Sequence, residues 1–312
     1  MKSIKVFSPA TVSNVACGFD IMGFAIDSPG DEIIVETNNE NNLQIINKTN
    51  IELPLEPDKN VTTIALKSML EKMNSLQGFT VTFTKKIPVG SGIGSSAASA
   101  IAGVFGANEL LEKPFTRMQL IDFAIEGEFA TSGSRHADNV APAMLGGFTV
   151  IRSYEPMHIF SIPYPEQLFC VVVHPQIELT TKEMRKVLPL EVPLKVAIKQ
   201  WGNVAGLIAG LTTNNLKLIS SSLTDFIVEP IRSKFIPGFN NIKNVALFNR
   251  ALGCSISGSG PSIFAICENE DIAKKVGYAM KEVCNSILLN ADLYISKINK
   301  EGIKEIKYEY PF

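Results

Sequence analysis

The chain has 312 residues, a length typical of about two domains, and its hydrophobic content of 46% allows sizeable cores. The formal net charge is −2 and the pI is about 6.0, which excludes the strongly basic surface typical of nucleic-acid-binding proteins. No apolar run reaches transmembrane length, and the first residues are too short and too alternating for a signal peptide. We therefore expect neither a nucleic-acid partner nor a membrane partner.

The cysteines argue against a disulfide framework and against a zinc site. They are odd in number, widely spaced and never arranged as C-x-x-C. They are Cys17, Cys170, Cys254, Cys267 and Cys284. We expect buried, reduced thiols in a cytoplasmic protein.

The first predicted strand, residues 4–8, leads into a segment of small residues that extends to residue 25. Asn14, Gly18 and Asp20 lie there inside an apolar frame. In one interpretation Asn14 and Asp20 satisfy the backbone donors of a folded loop. In the other interpretation the two side chains face a small polar ligand. The residues alone favour neither.

A hairpin and a helix are predicted next. Residues 31–37 and 43–46 have strand character and flank an Asn-rich turn, which predicts a β-hairpin. A loop interrupted by prolines follows. Residues 61–73 then carry apolar side chains at helical spacing, which predicts a helix with a buried face.

A strand, a glycine-rich loop and a helix form the centre of the chain. Residues 79–84 alternate between apolar side chains and threonines, which predicts a half-buried strand, and an Ala-rich segment at helical spacing begins after the loop. Gly90, Gly92 and Gly94 permit positive φ values and the close approach of a ligand. The N-terminus of the following helix is a site for anions, of which phosphate is the usual one.

Three interpretations of this loop compete, and in each of them Ser95 or Ser96 is the predicted helix N-cap. The loop is either a tight connection, a dinucleotide site or a nucleoside triphosphate site. Three glycines and three serines exceed what a turn needs. Residues 92–97 match G-x-G-x-x-A, but no second strand ending in an acid follows about twenty residues on. A Walker loop is excluded because no lysine follows Gly94.

Polar side chains gather around the end of the next predicted helix. Thr116 and Gln119 predict a capping box at its start. Glu126 and Glu128 lie near its end, where carboxylates are by default surface charges. A cluster of catalytic residue types follows before a proline, and it contains Arg135, His136, Asp138 and Asn139.

The second half of the chain begins with a continuous apolar run at residues 168–173, which predicts a buried strand. A capped helix follows, with Thr181 and Arg185 four residues apart on one face. Arg232 comes after a proline turn and is by default an exposed arginine. Residues 255–262 form a second glycine-rich loop, which we expect to support the first one.

The first glycine loop resembles a known signature. Residues 88–98, PVGSGIGSSAA, are similar to the P-x-x-x-G-[LI]-G-S-S-A-A motif of the GHMP kinases. Other segments resemble the homoserine kinase family and occur in the family's order. They are PATVSNVACGFDIMG at 9–23, EGEFATSGSRHADNVAPAMLGG at 126–147, DFIVEPIRSKFIPG at 225–238 and GSGPS at 258–262.

This resemblance covers nearly the whole chain and implies a fold. The implied fold class is α+β, the two-domain GHMP kinase fold. An N-terminal ATP-binding domain of the ribosomal S5 domain 2-like type would span residues 1–160. A ferredoxin-like C-terminal domain would span residues 161–312.

The resemblance also implies an activity. The γ-phosphoryl group of ATP would pass to the side-chain hydroxyl of L-homoserine, giving O-phospho-L-homoserine in threonine biosynthesis. Mg²⁺ would accompany ATP, and the protein would be a cytoplasmic homodimer. Another GHMP kinase such as a mevalonate kinase, a dinucleotide oxidoreductase and a catalytically silent binding protein are the alternatives.

Roles are implied position by position. The substrate-binding residues would be Asn14, Asp20, His136, Asn139, Thr181, Arg185 and Arg232. The nucleotide-binding residues would be Asn60, Pro88, Gly90, Ser91, Gly92, Ile93, Gly94, Ser95, Ser96, Ala97 and Ala98. Catalysis would depend on Asn139, His136 and Arg185, with no side-chain base and with Asp138 as the alternative proton acceptor.

The implied Mg²⁺ ligands are Glu128 and a loop serine, Ser96 or else Ser95. One departure from the family pattern leaves a rival. The family often has Glu-Gly at this point, whereas here the Glu-Gly pair lies two residues earlier. Glu126 is therefore the alternative metal ligand.

Overall fold

The computed structural model describes residues 2–307 and contains two β-sheets. The strands are β1 (Ser3–Ser13), β2 (Met22–Asn38), β3 (Leu43–Asn47), β4 (Gly78–Lys85), β5 (Phe148–Tyr154), β6 (Met157–Ile162), β7 (Phe169–Pro175), β8 (Gly253–Ile256), β9 (Ile263–Cys267), β10 (Ala291–Lys297) and β11 (Lys304–Glu305). The helices are α1 (Val61–Lys72), α2 (Ser95–Leu110), α3 (Arg117–Ser132), α4 (Val140–Leu145), α5 (Thr181–Lys186), α6 (Leu194–Thr212), α7 (Leu216–Ser222), α8 (Glu229–Arg232), α9 (Phe239–Phe248) and α10 (Glu270–Ser286). Across this part of the chain, no helix combines the length and the apolar character that crossing a bilayer requires.

The larger sheet has seven strands and corrects one prediction. Its path is β11-β1-β2-β4-β3, and β5 joins β2 to β6. Strand β3 is parallel to β4, with Leu43 opposite Phe79, so the predicted hairpin between residues 31–37 and 43–46 is wrong. Strand β4 lies between the two because its side chains are mostly buried, whereas those of β3 are half exposed and suit an edge.

Helix α2 packs on β1 and β2 of this sheet, α1 and α3 pack on α2 and on each other, and the three helices share one apolar core with the sheet. Their boundaries follow from local chemistry. The Asn60 side chain accepts a hydrogen bond from the Thr62 N–H and caps α1. The predicted capping box at the start of α3 is confirmed, because Thr116 and Gln119 cap each other's backbone.

The smaller sheet has the order β10-β7-β9-β8, and helices α9 and α10 cover one face. Its other face packs with α6, α7 and residues of β1 and β2 in one shared apolar cluster. The ring centroid of Phe24 is 4.7 Å from that of Phe148 and 6.1 Å from that of Phe264, so aromatic contacts connect the two sheets. All five cysteines are buried and unpaired, as predicted.

The sheets divide the chain close to the predicted domain boundary, which itself stays a prediction. Strands up to Ile162 belong to the larger sheet, and the strands from Phe169 to Lys297 form the smaller one. Strand β11 then returns to the larger sheet and pairs with β1, a contact that the sequence did not indicate. Residue 1 and residues 308–312, at the ends of the two predicted domains, lie outside the described residues.

Candidate active site

A cavity of about 310 Å³ lies where the two sheets meet. Six segments contribute its walls: the turn after β1, the glycine loop with the start of α2, the segment from the end of α3 to residue 139, residues 178–185 with helix α5, Arg232 of α8 and the loop before β9. These are the segments that carry the predicted site. Tertiary folding therefore brings residues from both halves of the chain to one place.

The glycine loop has the backbone conformation that its sequence predicts. Gly90, Gly92 and Gly94 have φ values of 72°, 77° and 71°. The helix N-cap, however, is Gly94, so the prediction of Ser95 or Ser96 as the cap is wrong. The Ser95 hydroxyl donates instead to the Ile87 carbonyl at 2.9 Å. The Ser95 hydroxyl therefore bonds to a residue before the loop and does not cap the helix.

The second glycine loop lies against the first, as predicted. The Ser257 hydroxyl donates to the Gly92 carbonyl at 2.7 Å. A Cβ atom at Gly92 would lie 2.5 Å from the Gly260 carbonyl oxygen. The two loops therefore support each other through backbone contacts that only glycine permits.

Two kinds of polar group at the loop are available to a ligand: a serine hydroxyl and backbone N–H groups. The hydroxyl of Ser91 is buried, lies in the cavity wall and has no hydrogen-bond partner within residues 2–307. The backbone N–H groups of the first turn of α2 are unsatisfied by the helix itself. Both features suit the oxygens of a phosphate group.

The two candidate metal carboxylates lie in different places. Glu128 lines the cavity and is hydrogen-bonded to Ser96. Burial raises its pKa, while Ser96 and the charge of Lys86 oppose the shift. Glu126 instead pairs with Arg135, with 2.7 Å between Oε1 and Nη1, and lines a groove between α1 and α3. Of the two, Glu128 is the carboxylate beside the loop.

The oxygen atoms of Glu128 and Ser96 fit Mg²⁺ as part of a ligand set. No cluster of three or more His, Cys, Asp or Glu side chains able to hold a metal occurs in the described part of the chain. Mg²⁺ commonly takes one or two carboxylates and completes its shell with phosphates and water. Glu128 and Ser96, next to the phosphate-binding loop, provide such a partial set.

Opposite charges meet at the other end of the cavity. Arg185 Nη1 and Nη2 donate to the two oxygens of Asp20 at 3.0 and 2.8 Å. His136 Nδ1 is 3.7 Å from Asp20 Oδ1, and burial lowers the pKa of this imidazole. The Phe19 ring lies 5.3 Å from the guanidinium of Arg185 and 5.3 Å from that of Arg232. This pocket presents one carboxylate and two cations to a ligand.

Arg232 is buried, which corrects the default interpretation of an exposed arginine. Its Nε donates to the Met184 carbonyl at 3.0 Å, and its Nη1 donates to the Gly258 carbonyl at 2.9 Å. Burial and the neighbouring Arg185 lower the pKa of this guanidinium to about 10. The backbone therefore fixes the orientation of Arg232 in the cavity wall.

The sequence left two interpretations of Asn14 and Asp20 open. Asn14 bonds to the backbone, as the first interpretation predicts, and the Asp20 side chain lies at the cavity, as the second predicts. The Asn14 side chain donates to the Gly258 carbonyl at 2.9 Å and accepts from the Asp20 N–H at 3.1 Å, and the residue also lines the cavity. The Asp20 carboxylate faces the cavity. Both residues have φ values above 60°, which bulky L-residues rarely adopt, and such strain is common at functional sites.

Two hydroxyl side chains of β1 hold the Asn139 side chain by hydrogen bonds. Its Oδ1 accepts from the Thr11 hydroxyl at 2.7 Å, and its Nδ2 donates to the Ser13 hydroxyl at 3.0 Å. Asp138, which is buried beside it, also bonds to Ser13, and burial together with the charge of Asp20 raises its pKa to about 7. The segment thus places an oriented amide and an easily protonated carboxyl group in the cavity wall.

Several residues that the sequence predicts as ligand contacts do not line the cavity. Ile93 and Ala98 are buried in the apolar cluster between the sheets. Asn60, besides capping α1, donates to the Pro54 carbonyl at 2.8 Å and does not line this cavity. Thr181 does line it, with its hydroxyl 3.4 Å from that of Ser259.

The sequence analysis missed supporting residues. The Tyr154 hydroxyl donates to the Asp20 carbonyl at 2.9 Å and accepts from the Ala137 N–H at 3.2 Å, which joins the turn after β1 to the segment before α4. Lys86 and Asp31 form a buried ion pair below the glycine loop. The available signal was a lysine two residues before the motif, at the end of a strand with a buried face.

Comparison with known proteins agrees with this geometry. The family models "GHMP kinases N terminal domain" and "GHMP kinases C terminal" match residues 60–147 and 207–286. A homoserine kinase from Chlorobium phaeobacteroides is 46% identical over 318 residues, covering 97% of this chain and 99% of the relative. The chain belongs to the homoserine kinase family of the GHMP kinases. It is therefore a kinase, and the phosphate interpretation of the glycine loop is favoured over the dinucleotide one.

Structural similarity confirms the predicted α+β GHMP kinase fold. The crystal structure of homoserine kinase from Cytophaga hutchinsonii has a TM-score of 0.94 and 47% identity and covers 98% of both chains. The L. major mevalonate kinase solved with R-mevalonate has a TM-score of 0.73 at 16% identity, covering 94% of this chain and 96% of that one. That likeness shows the fold alone. Among more distant homoserine kinases, that of Pyrococcus abyssi is 35% identical over 95% of this chain and 97% of the relative.

Proposed function

We propose that this kinase transfers the γ-phosphoryl group of ATP to the side-chain hydroxyl of L-homoserine and forms O-phospho-L-homoserine, a step of threonine biosynthesis. The observation that carries the proposal is that Asp20, which pairs with Arg185, lies with Arg185 and Arg232 in the cavity that the glycine loop also lines. An amino acid carries an ammonium and a carboxylate, which are the complements of these charges. Relatives named homoserine kinase support the same substrate.

The nucleotide would bind along the glycine loop. Gly90, Gly92 and Gly94 allow the backbone to approach the phosphates, and the N-terminus of α2 faces them with its dipole. Ser91 would donate its unpartnered hydroxyl. Pro88, Ile93, Ala97 and Ala98 would shape the loop. A contact of Asn60 with the nucleoside stays a prediction.

Glu128 and Ser96 would hold Mg²⁺. Bound Mg²⁺ would neutralise charge on the transferred phosphoryl group. Ser95 is not proposed as a ligand, because its hydroxyl is bonded to Ile87. We do not propose Glu126, because it lies on the far side of α3 and pairs with Arg135.

The amino acid would bind between Asp20 and the arginines. Asp20 would take the ammonium, while Arg185 and Arg232 would take the carboxylate, with Thr181 and His136 beside them. Since Asp20 and Arg185 are paired with each other, the substrate would replace one ion pair by two. Charged ends held in this way would fix the direction of the side-chain hydroxyl.

In the reaction the hydroxyl oxygen forms a bond to the γ-phosphorus while the bond from that phosphorus to the β–γ bridging oxygen of ATP breaks. Catalysis would consist mainly of positioning and charge stabilisation by Asn139, His136 and Arg185. The hydroxyl proton would pass to an oxygen of the transferred phosphoryl group. Asp138, with a pKa near 7, is the alternative proton acceptor.

A mevalonate kinase is the second candidate, because the fold is shared. Mevalonate has no ammonium, so it would leave Asp20 without a complementary charge. The Asp20 carboxylate therefore favours an amino acid.

We also propose a cytoplasmic homodimer. Five unpaired, buried thiols fit a reducing compartment. The exposed side chains of Leu194, Ile198 and Trp201 lie at i, i+4 and i+7 on α6 and form an apolar face, which suits an interface with a second copy.

The experiment that tests the activity is coupled ADP release with Mg-ATP and a panel of L-homoserine, L-serine, mevalonate and galactose. Turnover with homoserine alone is the expected result. Turnover with mevalonate instead would keep the kinase and overturn the substrate. Binding of Mg-ATP without turnover of any acceptor would contradict the proposed reaction.

A further inference from the structure

Two charged side chains are buried together below the glycine loop. Lys86 follows the last residue of β4, and its side chain is only 4% exposed. Asp31 lies in β2, and its side chain is fully buried. Lys86 Nζ is 3.2 Å from Asp31 Oδ2. Neither residue belongs to the proposed set of ligand contacts.

Asp31 reaches both ends of the loop that spans residues 88–94. Its Oδ1 accepts from the Ile87 N–H at 2.7 Å, directly before the loop. Its Oδ2 accepts from the Ser99 hydroxyl at 2.6 Å, in the second turn of α2 directly after the loop. A single buried carboxylate therefore connects the strand that precedes the loop with the helix that follows it.

Lys86 makes a second connection between the segment before the loop and helix α2. Its ammonium donates to the Ser95 carbonyl at 3.0 Å and to the Ser95 hydroxyl. The Ser95 hydroxyl in turn donates to the Ile87 carbonyl. Ser95 is the first residue of α2, next to the proposed metal ligand Ser96. We call Asp31, Lys86, Ser95 and Ser99 the loop clamp.

Stability alone is a poor explanation for these charges. Burial lowers the pKa of Lys86 because it disfavours the charged ammonium group. The charge and the hydrogen bond of Asp31 offset part of this effect. A buried ion pair is often no better for stability than apolar side chains of the same size. The adjacent pair, Glu32 and Lys85, joins the same two strands with its lysine side chain 69% exposed. Pairing of β2 with β4 therefore has a second ionic contact nearby.

The loop itself explains the need for the clamp. Its three glycines have positive φ values, and glycine gives a free chain many other conformations. A phosphate site works best when its N–H groups are already oriented before the ligand binds. We infer that Asp31 and Lys86 are positioning residues that hold the two ends of the glycine loop in its phosphate-binding conformation. This inference rests on the proposed nucleotide site.

The test compares MgADP binding by calorimetry with thermal stability in full-length variants. Asp31→Asn and Lys86→Met should each raise the Kd for MgADP by about 10- to 100-fold, the range typical of residues that orient a ligand's direct contacts. The KM for L-homoserine at saturating Mg-ATP should change by less than about threefold, because the amino-acid pocket is formed by other segments. The matched control is Lys85→Met, which removes the exposed lysine of the adjacent pair and should leave the Kd unchanged.

A double variant separates positioning from stability. Asp31→Leu with Lys86→Met replaces both charges by apolar side chains and should regain the melting temperature lost in the single variants. Its Kd for MgADP should stay raised, because the links to Ser95 and Ile87 are still missing. Recovery of both quantities, or single variants that bind MgADP like the wild type, would overturn the inference. Failure of the wild type itself to bind MgADP would overturn the proposed nucleotide site instead.

Discussion

Asp20 and Arg185 are joined by two hydrogen bonds of 2.8 and 3.0 Å, although 165 residues separate them in the chain. Asp20 lies in the turn after β1, and Arg185 lies on α5. The Asp20 backbone is held by Asn14 and by Tyr154, so the carboxylate has a fixed direction. Each of the two charges satisfies the other. A zwitterionic substrate would separate them and bind both.

Replacing Asp20 by asparagine should weaken the binding of L-homoserine. The carboxylate would no longer meet the ammonium, and a charge-assisted hydrogen bond contributes about 1.5–3 kcal/mol. We expect the KM for homoserine to rise about 10- to 100-fold, with the Kd for MgADP unchanged. The control is Glu270→Gln, which removes an exposed ion pair on α10. Equal loss of both affinities would indicate misfolding rather than a lost substrate contact.

The two carboxylates of α3 should differ in their effect on Mg²⁺. Glu128→Gln removes the carboxylate beside Ser96 and should lower kcat by about 100-fold or more, because the metal stabilises the transferred charge. It should also abolish the gain in ADP affinity that Mg²⁺ provides, measured by calorimetry with and without the metal. Glu126→Gln breaks a half-exposed ion pair and should leave both quantities within about twofold of the wild type. The reverse ranking would make Glu126 the metal ligand.

Asp138 should make the stability depend on pH. Its pKa is about 7 in the folded protein, against a usual 3.8, so the folded state favours the protonated carboxyl group. Below the unfolded pKa this contribution is fully present, and it is lost as the pH rises towards 7, by an amount on the order of a few kcal/mol. Asp138→Asn, a mimic of the protonated form, should therefore be more stable than the wild type at pH 8 and similar to it at pH 4. Urea unfolding at the two pH values measures this.

The same variant addresses the proton acceptor. We expect Asp138→Asn to retain turnover at pH 8, because the hydroxyl proton would pass to the phosphoryl group. Loss of turnover with unchanged binding of homoserine and MgADP would identify Asp138 as the base. In that case the kcat/KM profile of the wild type should also show an acidic limb near pH 7.

Gly92 and Gly133 provide a matched pair for the contact between the two glycine loops. Both have a φ of 77°, but a Cβ at Gly92 would lie 2.5 Å from the Gly260 oxygen, whereas nothing lies within 4 Å of one at Gly133. Gly133→Ala should therefore cost only the backbone strain, about 1 kcal/mol of unfolding free energy. Gly92→Ala should cost clearly more and also weaken MgADP binding. Equal effects in denaturant unfolding and calorimetry would show that the two loops do not depend on close contact.

The apolar face of α6 should mediate dimerisation. Leu194, Ile198 and Trp201 are 66%, 55% and 62% exposed, an unusual density of large apolar side chains on one helix face. We expect the wild type to sediment as a dimer and Ile198→Glu to sediment as a folded monomer. Phe248→Glu, which changes an exposed aromatic residue on α9, is the control and should remain a dimer. A wild-type monomer at all concentrations would contradict the interface.

Local structure was largely predictable. The capping box of Thr116 and Gln119, the helix at Val61–Lys72 and the positive φ values of the glycine loop depend on a few neighbouring residues. The hairpin prediction failed because alternation identifies a strand but not its partner, and the more buried strand β4 lies next to β2 while β3 forms the edge. The serine N-cap prediction failed because Ser95 found a tertiary partner in Ile87.

The sequence by itself determined the kinase family, the phosphate loop and the set of polar residues around it, because motifs and caps are encoded by residues close together in the chain. Only the tertiary structure decided which of those residues line the cavity. Glu126 and Glu128 are two residues apart on a helix and therefore point in nearly opposite directions, and only the packing of α3 turns Glu128 towards the loop. The Asp20–Arg185 pair and the Asp31–Lys86 clamp connect distant segments. Such contacts depend on how β-sheets and helices pack, which no local pattern specifies.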